Sequence, residues 1–82
     1  MDKERIIHEF VKNTAEVVRI TESEFNNEIL FHIRIYVRSR DFDTSDEVWL
    51  PTKKGIAFKR DDLPDLFRAI EALKKYAGGL NS

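Results

Sequence analysis

An α+β fold is predicted: four antiparallel strands and a C-terminal helix, with a short N-terminal helix in front, in a single domain over residues 1–82. Three observations predict it. Residues 28–38 alternate apolar and polar without a break, the pair Asn26-Asn27 is a turn signal just before them, and apolar residues recur at helical spacing from Leu63 to Ala77. The organisation is therefore an N-terminal helical extension over 1–13 and a main body over 14–77.

Residues 3–12 place Ile6, Ile7, Phe10 and Val11 at i, i+1, i+4 and i+5, a spacing that suits an amphipathic helix better than a strand. So short a helix is marginal alone and needs a docking surface. Thr14 to Thr21 reads as the first strand, with Val18 and Ile20 on one face and Val17, Arg19 and Thr21 on the other. In the second, Glu28 to Arg38, Ile29, Phe31, Ile33, Ile35 and Val37 form an apolar row. The opposite row reads Glu28, Leu30, His32, Arg34, Tyr36 and Arg38. Such alternation fits an antiparallel sheet covered on one side. The second row mixes cations with an aromatic ring, as nucleic-acid-binding faces do and as solvated strand faces also do.

After the polar loop 39–46, Val48, Trp49 and Leu50 suggest a third strand, and Gly55 to Lys59 a fourth with Ile56 and Phe58 inward. Pro51 has no N–H for a ladder and should end the pairing. The intervening turn carries Lys53 and Lys54 ahead of Gly55, a residue that accepts a positive φ or lets another backbone come close. Asp61 or Asp62 can cap the helix, Pro64 fits its first turn, Asp65 complements its positive end, and Gly78-Gly79 supplies the stop. Along the helix Leu63, Leu66, Phe67, Ile70, Leu73 and Ala77 share a side that Ala69 and Tyr76 widen. The arc is broad for a helix lying only on its own sheet. Leu66, Ala69, Ile70, Leu73 and Tyr76 are thus the expected contacts with a second copy, and a fully intramolecular core is the alternative.

Composition bounds the function. A chain of 82 residues buries only about 60 to 65% of its unfolded surface, and without cysteine it has neither disulfides nor a thiolate zinc site. Oligomerisation is the remaining device, so a homodimer is expected. With 14 Lys and Arg against 15 Asp and Glu the net charge is −1, which argues against a uniformly basic duplex-coating protein while leaving room for a local basic stripe. No apolar run is long enough to span a bilayer and no signal peptide opens the chain. The expectation is a soluble intracellular protein without a membrane partner, in the cytoplasm or nucleoid of a prokaryote or the nucleus of a eukaryote. His8 and His32 lie on different elements, with no cysteine or glycine-rich phosphate loop beside them, so neither an enzyme, a metal site nor a cofactor is expected.

From Val17 to Leu73 the chain resembles the positive cofactor 4 family of transcriptional coactivators, which bind single-stranded DNA. Three blocks carry the resemblance: Phe25-Asn26-Asn27-Glu28-Ile29-Leu30-Phe31-His32-Ile33-Arg34-Ile35-Tyr36, Pro51-Thr52-Lys53-Lys54-Gly55-Ile56-Ala57-Phe58, and the apolar helix. It implies a strongly curved four-stranded sheet, dimerisation through the helices, and channels for single strands built from both subunits. It also implies that Phe25 stacks on bases, that Arg34 contacts phosphate or stacks, and that Lys53 and Lys54 follow the backbone.

The chain departs from the family's pattern at Ser23, Asn26 and Glu28, where basic residues are usual in the first hairpin, and at Val37, where tryptophan is common. Arg19, Arg38, Arg40 and Trp49 are the neighbours that could compensate, although Trp49 is more often a core or interface residue than a stacking platform, and Tyr36 is a further candidate contact on the same row. The expected partner is single-stranded DNA, with RNA left open and transcription or replication proteins as further partners. The alternative is a dimeric protein-interaction module with relaxed nucleic-acid binding.

Overall fold

Antiparallel strands joined in sequence order by short connections make this chain a meander, and the computed structural model, which describes residues 4–80, carries it through four strands. They are β1 (Glu4–Asn13), β2 (Glu16–Phe25), β3 (Glu28–Arg40) and β4 (Glu47–Phe58), antiparallel in the order β1-β2-β3-β4. A 3₁₀ turn, Arg60–Asp62, leads into the helix α1 (Leu63–Gly79).

Residues 4–13 are a strand, where a helix was expected over 3–12; Lys3 lies outside the described residues. The helical spacing of Ile6, Ile7, Phe10 and Val11 has another origin. The β1–β2 register shifts between Ile6 and His8 and again between Val11 and Asn13, and each irregularity puts an extra residue into β1. An extra residue breaks the two-residue period, so apolar side chains fall at neighbouring positions without leaving the sheet.

The second correction concerns Pro51, which does not end a strand. Val48–Leu50 and Gly55–Phe58 belong to one strand, β4, so the four strands of the fold are not the four that were expected. As an edge strand, β4 has a side without a neighbour, where a missing N–H breaks no ladder. Arg34 pairs with Gly55 and Tyr36 with Pro51, so Ile35 faces Thr52, Lys53 and Lys54 together, and the paired lysines sit on a wide bulge rather than a hairpin corner.

The remaining elements follow their local chemistry. Asn26 and Asn27, at φ 52° and 64°, join β2 to β3 as a two-residue hairpin whose twist suits the flanking strands. Strand β2 reaches Phe25, beyond the expected end at Thr21. Asp62 occupies the position before α1, but its carboxylate accepts the Lys59 N–H at 3.1 Å and so braces the 3₁₀ turn instead of capping the helix. Pro64 and Asp65 lie in the first turn. Gly78 and Gly79 both lie within the helix, with no positive φ, and Leu80 follows as its cap.

Cross-strand register sorts the sheet into two faces. Ile29, Phe31, Ile33, Ile35 and Val37 share one with Val18, Ile20, Phe10, Ile56 and Phe58, and Phe31 packs on Phe58 with ring centroids 5.8 Å apart. The other carries Val17, Arg19, Thr21, Arg34, Tyr36 and Arg38. This second face is concave. Tyr36 lies opposite Val17 while Glu4 lies opposite Ser23, some 20 Å further along a flat strand, yet the Tyr36 hydroxyl donates to Glu4 Oε1 at 3.1 Å. Only a sheet bent over this face brings them together.

Among the described residues, Val17, Tyr36 and Thr21 are the buried ones, all on the concave face. Helix α1 buries none. Phe67, Ile70, Leu73 and Tyr76 are each more than half exposed, Ala69 is exposed and Leu66 is half-buried.

Candidate nucleic-acid interface

The concave face concentrates cations by strand parity. Arg19 and Arg34 are direct cross-strand partners, Tyr36 follows two residues beyond Arg34, and Arg38 lies opposite Trp49. Curvature crowds these side chains together, and each is already engaged. The Arg19 guanidinium stacks over the Tyr36 ring, 4.7 Å from its centroid, and its Nε donates to Glu9 Oε2. Arg38 stacks on Trp49 at 5.8 Å, pairs with Glu47 at 3.2 Å and donates to the Thr14 carbonyl.

Arg34 does something different. Its Nη1 donates to the Thr52 carbonyl at 2.9 Å, and the Thr52 hydroxyl donates to the Ile35 carbonyl at 2.8 Å while accepting the Lys54 N–H at 3.2 Å. These bonds pin the bulge to β3. A carbonyl leaves the guanidinium's charge unneutralised, so Arg34 both anchors the bulge and adds positive potential beneath it. Gly55, opposite Arg34, lets the strands close. A Cβ there would lie 2.6 Å from the Ile33 carbonyl oxygen and 2.8 Å from Arg34 Cα, both backbone atoms. Of the two uses of glycine expected at this position, close approach is the one found, since Gly55 has no positive φ.

Lys53 and Lys54 project from this braced bulge, exposed and without an ion pair among the described residues. Phe25 shares the concave face and is 56% exposed, but it sits at the hairpin end, six residues along β2 from Arg19. The chain therefore brings Arg19, Arg34, Tyr36 and the lysine bulge together and leaves Phe25 apart. Tyr36 is only 5% exposed and covered by Arg19, so it offers no free ring face for a base. Burial first, and then the Glu4 carboxylate, push its hydroxyl above the ordinary tyrosine range. At the start of β2 an Asn13 hydrogen bond lowers the Glu16 carboxyl, partly offset by burial and reinforced by Lys12 and then Lys54 nearby.

Three residues of this face carry no signal in composition. Thr52 is one neutral residue in a basic block, and Glu4 and Glu9 reach the face only once residues 4–13 form a strand. No local alternation marks residues 4–7, because Glu4 and Ile6 share one face with Arg5 on the other and the register shift at Ile7 then breaks the period.

Taken together, the four-stranded antiparallel sheet, the C-terminal helix and the basic bulge define a sheet-face module of the coactivator class. The chain belongs to the Transcriptional Coactivator p15 (PC4) family, whose model matches residues 12–69. It is similar to a solved structure described as the bacteriophage T5 homologue of the eukaryotic transcription coactivator PC4, implicated in recombination-dependent DNA replication. That likeness has 26% identity, covers 99% of this chain and 97% of the other, and has a TM-score of 0.57. Comparison with curated proteins gives no match.

Proposed function

We propose that this chain binds single-stranded DNA without reading its sequence, as a homodimer acting in transcription regulation or DNA maintenance. The observation that carries this reading is the Lys53-Lys54 bulge, held by Thr52, Arg34 and Gly55 at the edge of a bent face. Two cations on a braced backbone supply phosphate contacts that are indifferent to sequence. Phe25, exposed at the hairpin tip, supplies the ring on which any base can stack. The role described for the phage relative, in recombination-dependent DNA replication, favours work on exposed single strands.

Shape supports the homodimer. The radius of gyration is 15.7 Å, against about 12 Å for a compact domain of this length. The accessible surface is 7095 Å², against about 5,100 Å² for a folded monomer of this mass. The excess of about 2,000 Å² is enough for an obligate interface, and the exposed apolar face of α1 is where a second copy closes. Sedimentation equilibrium should return twice the chain mass, and Ile70→Asp should abolish the dimer and with it most of the cooperative unfolding.

A second reading is a dimeric protein-interaction module. It is favoured by Glu9 and Glu47, which already neutralise two arginines of the concave face. Fluorescence anisotropy with labelled oligothymidine and a matched duplex separates the two. A preference for the single strand that weakens with salt supports DNA binding, whereas the absence of binding leaves the interaction module.

A further inference from the structure

We infer that Glu9 and Glu4 of the first strand act as built-in competitors of phosphate: from within the concave face they hold Arg19 and Tyr36 and so determine how much of that face a polyanion can use. This rests on the nucleic-acid reading above and adds residues to it that neither composition nor motif singles out.

The placement is specific. Glu9 lies directly opposite Arg19 in the β1–β2 register and accepts its Nε–H. The Arg19 side chain is only 17% exposed and that of Glu9 42%, so the arginine end of the pair is shielded from solvent while the carboxylate is reachable from outside. The same guanidinium covers the Tyr36 ring, and Glu4 accepts the Tyr36 hydroxyl from the other side. Glu4, Glu9, Arg19 and Tyr36 thus form one continuous chain of contacts across three strands. A carboxylate and a phosphate oxygen satisfy a guanidinium in the same way, through charge-assisted hydrogen bonds. Whatever polyanion reaches this part of the face must therefore displace Glu9, and Arg19 in its resting state contributes no uncompensated charge.

The salt dependence of binding reads this directly. A cation already neutralised by its own protein neutralises no phosphate and releases no counterion condensed on the strand, so Arg19 adds nothing to the salt slope while Glu9 holds it. Freed, it should neutralise one more phosphate and steepen the slope for a single strand by about 0.7, which is about fivefold tighter binding at 0.1 M salt.

The experiment is oligothymidine anisotropy across a salt series with the full chain and its Glu9→Gln variant, folding being checked by circular dichroism. The expected result is about fivefold tighter binding at 0.1 M salt and a steeper slope, both abolished when Arg19→Gln is added to Glu9→Gln. Equal affinity and slope for wild type and Glu9→Gln would overturn the inference while leaving DNA binding in place. Binding by Glu9→Gln alone, with a silent wild type, would support the competition and remove the reading of the wild type as a DNA binder. Absence of binding by both would overturn the two together. Should Glu9→Gln fail to fold, Arg19→Gln alone carries the test: because Glu9 already holds Arg19, the salt slope should stay at its wild-type value, and a slope shallower by about 0.7 would overturn the inference.

Discussion

Two cationic regions of this molecule lie within a few residues of each other and differ in what their charges already do. On the concave face Arg19 and Arg38 are each held by a carboxylate and an aromatic ring. On the β4 bulge Lys53 and Lys54 are fixed through the backbone while their side chains stay exposed. The first arrangement uses charge to hold the sheet together. In the second, Thr52 and Arg34 provide the positioning, which leaves the lysines available to a ligand. A count of basic residues treats these regions alike, and a count of unpaired ones does not.

The contrast can be broken most severely at the bulge. Lys53→Glu with Lys54→Glu should weaken oligothymidine binding by at least about 20-fold at 0.1 M salt, two lost phosphate contacts being worth about 1.4 decades. The midpoint of urea unfolding should stay close to wild type, because neither side chain makes an ion pair among the described residues. Gly55→Ala should do the reverse. A Cβ pressed against two backbone atoms of β3 forces the strands apart and should cost about 1 to 3 kcal/mol in urea unfolding. Arg34→Met should cost about 1 to 2 kcal/mol by the same measurement, since it removes a charged hydrogen bond to the Thr52 carbonyl, and should weaken binding as the bulge loosens.

The smallest effect sharpens the other side of the comparison. Because Tyr36 holds its proton more tightly folded than unfolded, its contribution to stability is complete below the unfolded tyrosine pKa and is lost as pH rises through the folded one. Glu4→Gln removes the charge while keeping an oxygen that can accept the hydroxyl, so an ultraviolet titration of Tyr36 should move part of the way down toward the ordinary tyrosine range, burial holding the rest of the shift. An unchanged titration would separate Glu4 from the cluster.

How far these regions could be read from sequence depends on whether the local pattern kept its period. Strand β3 did: Ile29 to Val37 alternate without interruption, and the row of Arg34, Tyr36 and Arg38 shares one face as expected. Asn26-Asn27 also kept its signature, since few residues other than glycine accept two successive positive φ angles. Helix α1 was legible from Pro64, Asp65 and the apolar arc of Leu66, Ile70 and Leu73.

The pattern failed where bulges enter. An extra residue near Ile7 makes β1 imitate a helix, and the three residues facing Ile35 put Pro51 and Gly55 inside one strand, where each alone reads as a break. The site inherited these errors. Lys53, Lys54 and Arg34 were visible as a basic block and a strand position, but the contacts that distinguish them from Arg19 come from β1 and Thr52, neither of which could be placed before the bulges were known. Tyr36 was legible as a member of the face and not as its buried centre, because burial there follows from curvature, which strand parity does not encode.

The most direct test of the bulge as the phosphate-binding element is the salt slope of oligothymidine binding by wild type and by Lys53→Ala with Lys54→Ala. If both lysines neutralise phosphates, the wild-type slope should be the steeper by about 1.4, at about 0.7 per lysine. Identical slopes for the two proteins would contradict the account, because the exposed pair would then contribute no phosphate contact.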